Sequence, residues 1–159
     1  MALLPLSEEQ VLDRLKQENP WWATGVVDED YSKMQKRLYF DLFYPLVEDI
    51  SIKRAVILMG PRRVGKTVMI YHAIDSLLSS GISPHQIAFV SVENPFYNKM
   101  PLEHLFKTCL KATGKSEPKG WYVFFDEIQY LKDWEVHLKT LVDSYPHVKF
   151  VASGSVAAA

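Results

Sequence analysis

The 159-residue chain has a single cysteine, Cys109, and that scarcity narrows its chemistry. One cysteine excludes an internal disulfide, supplies no zinc cluster, and fits a reducing cytosol. The five histidines, at positions 72, 85, 104, 137 and 147, fall at no metal-ligand spacing. No apolar run approaches the length of a membrane span, and the start Met1-Ala2-Leu3-Leu4-Pro5 is followed by acids, unlike a signal peptide. A cytoplasmic chain without a membrane partner is therefore expected. A net charge of -1 removes any chain-wide electrostatic footprint for nucleic acid or acidic membranes. There are no internal repeats, and no low-complexity segment beyond Ala157-Ala158-Ala159. What remains is ordinary globular material, 48% hydrophobic and 23% charged, with room for one sizeable core and not two.

Against that background Gly60-Pro61-Arg62-Arg63-Val64-Gly65-Lys66-Thr67 stands out, because it fits the phosphate-binding loop pattern G-x-x-x-x-G-K-[ST]. The strand-like run Ala55–Met59 precedes it and a helix-like stretch from Val68 to Ser80 follows. All four specified positions are filled and both flanks are right, which separates the stretch from a chance glycine-rich turn. A loop bent around phosphates turns successive backbone N–H groups inward, and the following helix N-terminus adds free donors and partial positive charge. Lys66 would place its ammonium on the β- and γ-phosphates, and the Thr67 hydroxyl would ligate Mg²⁺. Residues Gly60 to Val68 are the candidate nucleotide-binding set. Arg62 and Arg63 could touch phosphate, but solvated side chains are expected there, since such a loop acts through its backbone.

The rest of the chain divides near Ile52. Residues 1–51 read as a helical, aromatic-rich section. Ser7-Glu8-Glu9-Gln10 resembles a capping box, followed by a short amphipathic helix with Val11, Leu12 and Leu15 on one side, ended by Asn19-Pro20. After Trp21-Trp22 and the acidic turn Asp28-Glu29-Asp30, a second helix is predicted from about Ser32. It would carry Leu38, Tyr39, Phe40, Leu42, Phe43 and Leu46, with Pro45 kinking or ending it. Core packing is the expected use of that stripe, and a place beside a nucleotide base is the alternative. Residues 52–159 alternate strand and helix signals, the pattern of a parallel sheet covered on both faces. Strands are predicted at Ala55–Met59, Gln86–Val92, Trp121–Phe125 and Val148–Ala152. Helices are predicted at about Gly65–Ser80, Leu102–Ala112 and Trp134–Ser144, with a loop from Thr113 to Pro118. Cys109 shares helical spacing with Leu102, Leu105, Phe106 and Leu110, which points to a buried thiol rather than a nucleophile.

Asp126-Glu127 directly follows the apolar strand Trp121–Phe125. A buried strand ending in acid delivers its carboxylate to the crevice at the sheet's C-terminal edge. Asp126 would hold the hydration shell of Mg²⁺, and Glu127 would orient and deprotonate a water in line with the γ-phosphate. The fourth strand runs into Ser153-Gly154-Ser155 at the same edge. The Ser153 hydroxyl could touch the γ-phosphate or attacking water, or the segment could be a plain serine-glycine turn.

These segments resemble the AAA+ superfamily of P-loop ATPases. More narrowly, they look like the prokaryotic AAA-domain ATP-binding proteins that carry an uncharacterised C-terminal domain. The resemblance rests on the loop (Walker A), Phe124-Phe125-Asp126-Glu127-Ile128-Gln129 (Walker B), Trp134 and Ser153-Gly154-Ser155, and extends to Asn19-Pro20-Trp21-Trp22. It implies an α/β fold of three α/β/α layers, with Lys66 and Thr67 binding ATP and Mg²⁺, Asp126 on the metal, Glu127 as catalytic base and Ser153 as sensor. It also implies a fifth core strand, a helical lid and an arginine finger that the chain lacks, so a truncated ATPase is expected. Its first strand would have an unpaired flank, an edge that invites self-association. An arginine finger is worth roughly 10³–10⁵ in rate, so ATP binding with very slow turnover is expected of the isolated chain.

The function that follows is the ATP-binding and hydrolysing module of a larger protein, driving conformational change in domains absent here. Two other readings stay open at this stage. One is a noncatalytic nucleotide-binding module whose aromatic N-terminal section docks a partner; the other is a P-loop kinase. ATP and ADP are the expected ligands, a homo-oligomer a possible assembly, and the client is not legible.

Overall fold

A parallel sheet is built where buried apolar strands alternate with helices that supply the crossovers. In the computed structural model, which describes residues 7–97, 100–115 and 117–156, four strands form one such sheet in the order β1-β4-β3-β2. They are β1 (Val56–Gly60), β2 (Ile87–Ser91), β3 (Trp121–Asp126) and β4 (Val148–Ser155). The helices are α1 (Glu8–Glu18), α2 (Trp21–Thr24), α3 (Glu29–Ser32), α4 (Phe40–Glu48), α5 (Lys66–Ser79), α6 (Leu102–Thr113) and α7 (Trp134–Ser144). Every pairing is parallel. The Met1–Pro5 start, Ser116 of the predicted loop and Ala157–Ala159 lie outside the described residues.

The strand period of two divides the core into two layers. Trp121, Val123 and Phe125 of β3 pack with Phe150 and Ala152 of β4 under Val11 and Leu15 of α1, Phe106 and Cys109 of α6, and Leu138 and Leu141 of α7. Tyr122 and Phe124 face the other way with Val151, toward Trp21, Phe40 and Phe43 and the α5 residues Ile70, Ala73, Ile74 and Leu77. The result is the α/β/α sandwich expected from the alternation of signals. Cys109 is fully buried and its thiol is held well above the usual range by desolvation, which makes it an inert core group. No described helix is long and apolar enough to cross a membrane.

Both sheet edges have to be managed, and they are treated differently. Along β2 the outward backbone groups are taken by side chains from the turn after α1. The buried Asn19 amide donates to the Phe89 carbonyl (2.9 Å), and its Oδ1 accepts from the Phe89 N–H (2.6 Å). Trp21 and Trp22 both donate their indole N–H to the Ile87 carbonyl, at 2.9 and 2.7 Å. One asparagine and two tryptophans thus do the work of a neighbouring strand. Among the described residues nothing pairs the outer flank of β1, where Ile57 and Met59 stay exposed. At the base of the sheet the ammonium of the buried Lys149 donates to the carbonyls of Asp49 (2.9 Å) and Ile52 (3.4 Å), and so anchors the chain entering β1.

Two expectations are corrected. The helix predicted from Ser32 is instead the single turn α3 and, after a gap, α4 beginning at Phe40. Helix α4 also does not end at Pro45 but runs on to Glu48. Pro45 removes a single intrahelical N–H, and the acceptor it orphans is the Asp41 carbonyl, on an exposed residue that water can reach. Phe40, Phe43 and Val47 are the buried face, while Leu38, Tyr39, Leu42 and Leu46 are exposed, so much of the predicted core stripe is not core. The second correction concerns β4, which does not stop at Ala152. Ser153, Gly154 and Ser155 pair with Leu58, Met59 and Gly60 of β1 and belong to the sheet. The plain-turn reading of that segment is therefore excluded.

Candidate nucleotide site

Strand β1 ends at Gly60, and helix α5 begins at Lys66, so the loop between them lies at the C-terminal edge of the sheet. Two of its residues take left-handed backbone conformations, Arg63 with φ 65° and Gly65 with φ 84°. Such alternation curls successive N–H groups toward one concavity. Gly65 caps α5 without any side-chain hydrogen bond, which leaves the first-turn N–H donors of the helix uncommitted. The Lys66 side chain is buried and bends back over the loop, its ammonium donating to the carbonyls of Gly60 (3.0 Å) and Pro61 (2.5 Å). Pro61, Arg62, Arg63 and Val64 form the exposed rim, and Val68 lies half-buried in the first turn of α5. Arg62 reaches across the mouth to the Tyr130 hydroxyl, 2.9 Å away.

The second half of the site comes from the two central strands. Asp126, the last residue of β3, is buried, and it is held from two sides. Thr67 donates its hydroxyl to Oδ2 at 2.8 Å, and Ser153 donates its hydroxyl to Oδ1 in a very short contact. Burial raises the Asp126 carboxyl above its ordinary range, with the charge of Glu127 adding to this and the hydrogen bonds from Ser153 and Thr67 opposing it. The Ser153 hydroxyl also accepts the Glu127 N–H at 3.2 Å. Glu127 itself sits at φ 55°, a left-handed position uncommon for a side chain of its size. Its carboxylate accepts from Gln129 Nε2 at 2.6 Å and from the Ser155 hydroxyl at 3.2 Å. Gln129 in turn accepts the Ser155 N–H at 3.1 Å. Glu127, Gln129 and Ser155 are therefore one small hydrogen-bonded ring beside the Asp126–Thr67–Ser153 group.

The residues singled out from the sequence thus converge: Lys66, Thr67, Asp126, Glu127 and Ser153 all lie at one edge of the sheet. Others were not anticipated. Glu93, two residues past β2, has its carboxyl raised by burial and then by the nearby charges of Glu127 and Asp126, which places a third acid at this edge. The Arg62–Tyr130 contact and the Arg37 side chain, which rests on the loop, carry no motif. On the flank of the loop away from the acids lies a cavity of about 720 Å³, lined by Gln35 to Tyr39, Leu58 to Pro61, Val64, Lys66 and Met69.

Family comparison agrees with this layout. A family model described as an AAA domain matches residues 52–159, well over half the chain. The chain belongs to that AAA domain family. It is therefore a nucleotide-binding AAA module built on a P-loop α/β/α sheet. A similar sequence is the uncharacterized protein MJ1637 of Methanocaldococcus jannaschii, 28% identical over 141 residues that cover 84% of this chain. The chain spans only 29% of that relative's length. Among solved structures, PCH-2 of C. elegans aligns with 87% of this chain and 41% of its own at 14% identity, with a TM-score of 0.49.

The donor set can be tested for the metal that accompanies a nucleoside triphosphate. Thr67 and Asp126 offer a hydroxyl and a carboxylate, hard oxygen ligands already in register with each other. That pair fits Mg²⁺, which takes one or two protein oxygens and fills its shell with water and phosphate.

Proposed function

We propose that the chain binds ATP with Mg²⁺ and hydrolyses it, as the motor module of a longer polypeptide whose other domains change conformation with the nucleotide state. The observation that carries the reading is the meeting of Thr67, Asp126 and Ser153 beside an open helix N-terminus. The loop amides and the first turn of α5 bind the phosphate oxygens. Lys66, whose ammonium now rests on two loop carbonyls, exchanges them for the far stronger acceptors of the β- and γ-phosphates. Thr67 and Asp126 hold Mg²⁺, which supplies charge neutralisation at the transferring phosphoryl group when bound. Glu127 takes a proton from water; Gln129 and Ser155 fix the direction of its carboxylate. Ser153, bonded to both the Asp126 carboxylate and the Glu127 amide, links the two acids, so a change at one is felt at the other. The cavity beside Gln35–Tyr39 has the volume and the largely apolar lining that a nucleobase requires.

Calorimetric titration with ATP and Mg²⁺ tests the binding step, with Lys66→Ala alongside. The expected result is measurable affinity that the variant weakens by about tenfold or more, roughly 1.4 kcal/mol. No binding by the folded chain would overturn the reading. Release of phosphate that Glu127→Gln abolishes while ATP is still retained tests the chemistry.

A second reading has one observation in its favour. Leu38, Leu42, Leu46 and Ile50 form an exposed apolar face on and beside α4, suited to a protein contact. If the chain is an interaction module that uses nucleotide only as a structural ligand, Glu127→Gln will leave both partner binding and the negligible phosphate release unchanged.

A further inference from the structure

We infer that Arg37 is a phosphate ligand of this site, its guanidinium engaging the α- and β-phosphates of a nucleoside di- or triphosphate seated on the loop. The inference rests on the nucleotide-binding reading above and extends it to a residue outside every motif.

Arg37 lies in the connection between α3 and α4 and is an exposed residue, yet its side chain does not simply extend away from the protein. Its guanidinium is laid against Gly65, so closely that a β-carbon there would stand 2.6 Å from Nε and 2.9 Å from Cζ and Nη2. Gly65 is the cap of α5, where a helix carries the positive end of its dipole. Lys66 follows directly. Among the described residues no carboxylate lies within 4.0 Å of Arg37. A guanidinium held at a positive helix end, beside an ammonium and without an acid, is electrostatically unfavourable by itself. A phosphate between the three groups reverses the sign of every one of those interactions. Arginine also suits the task geometrically, since its planar fork takes two phosphate oxygens at once.

The side from which Arg37 approaches identifies which phosphates it meets. It shares the lining of the 720 Å³ cavity with Leu38, Met59, Val64 and Met69, a lining that includes none of Asp126, Glu127 or Ser153. Those three mark the end of the site where bond cleavage would occur. Arg37 stands at the opposite end, between the base cavity and the loop. Its contacts therefore fall on the phosphates that ADP and ATP have in common.

The test is calorimetric titration of the chain with ADP and with ATP, both with Mg²⁺, for wild type, Arg37→Ala, Arg37→Gln and Lys66→Ala. Arg37→Gln keeps much of the side chain's length and packing, and the melting temperature of each nucleotide-free variant controls for folding. Both Arg37 variants are expected to weaken ADP and ATP equally, by about tenfold, with melting temperatures unchanged. Affinities within about twofold of wild type for both nucleotides would overturn the inference, as would a loss confined to ATP. If Lys66→Ala loses ATP while the Arg37 variants do not, the nucleotide site stands and the role of Arg37 falls. If the wild type binds neither nucleotide, the underlying reading fails and takes the inference with it.

Discussion

Thr67 Oγ1 and Asp126 Oδ2 lie 2.8 Å apart although 59 residues separate them in the chain. One belongs to the first turn of α5 and the other to the last residue of β3, and the hydrogen bond fixes the loop against the central sheet. Asp126 is buried and its carboxyl raised by desolvation, a shift opposed by the Ser153 and Thr67 hydroxyls and the Glu127 backbone N–H. Replacing it with asparagine keeps the shape and removes the charge. Asp126→Asn should leave stability unchanged or slightly higher, because a buried carboxylate no longer has to be desolvated. It should also abolish the difference between ATP affinities measured with Mg²⁺ and with EDTA, a difference wild type is expected to show. A variant that kept the full Mg²⁺ dependence would remove Asp126 from the metal site.

Asn19 is the residue on which the β2 edge depends. Its amide answers both the N–H and the C=O of Phe89, in a position where water is excluded. Asn19→Ala leaves those two groups without partners, at about 1–3 kcal/mol for each group left unsatisfied. Urea denaturation should report a loss of about 2–6 kcal/mol on the same basis, together with increased self-association through the exposed strand edge. A loss below about 0.5 kcal/mol would mean that water or a shifted neighbour replaces the side chain, within the ordinary range for surface substitutions.

Much of this fold could be read directly. Helix α7 spans the predicted residues Trp134–Ser144, and the strands other than β4 lie within a residue or so of their apolar runs, because the buried strands of a parallel sheet are continuous apolar segments. The long-range pairings were less accessible. Ser153-Gly154-Ser155 has turn composition, and only the neighbouring β1 strand makes it sheet. The α4 stripe of Phe40, Leu42, Phe43 and Leu46 has helical spacing on two faces at once, and periodicity cannot say which face meets the core. The site was legible where chemistry imposes a fixed spacing, as at Gly60–Thr67. It was not at Arg37, Glu93 and Tyr130, single residues brought to the loop by packing alone. Asn19-Pro20 read as a helix stop, yet the side chains of Asn19 and of Trp21 and Trp22 after it substitute for a strand, a role visible only once β2 lies beside them.

Glu18 offers a pH test that is independent of the nucleotide. Its half-buried carboxyl is pushed up to about 7, chiefly by desolvation, against the opposing hydrogen bond from the Tyr97 hydroxyl. A carboxyl raised in the folded state favours folding while protonated. Its contribution is complete below the unfolded value of 4.5 and is lost as pH rises through about 7. Wild type should therefore lose about 3 kcal/mol relative to Glu18→Gln between pH 4.5 and 8, from the linkage of a shift of this size. Denaturation of the pair across that range isolates the effect from other titrating groups. Parallel stability curves would show that Glu18 ionises normally.

Gly154 separates stability from catalysis. A β-carbon added there would lie 2.8 Å from Met59 Sδ and 3.2 Å from Gln129 Oε1. Met59 is exposed at the β1 edge and can swing aside, so Gly154→Ala should cost about 1–3 kcal/mol, the range for an added methyl in a packed interior. Gln129 has no such freedom, being bonded to both the Ser155 amide and the Glu127 carboxylate. Its displacement redirects Glu127, the proposed base, without touching the loop that binds phosphate. ATP affinity should therefore stay within about twofold of wild type while phosphate release falls by about tenfold or more, the scale of a misplaced general base. Adding Met59→Ala should relieve the sulfur contact but not restore turnover. If it does restore turnover, the glycine serves the packing of β1 on β4, and the Glu127–Gln129–Ser155 ring is not what it protects.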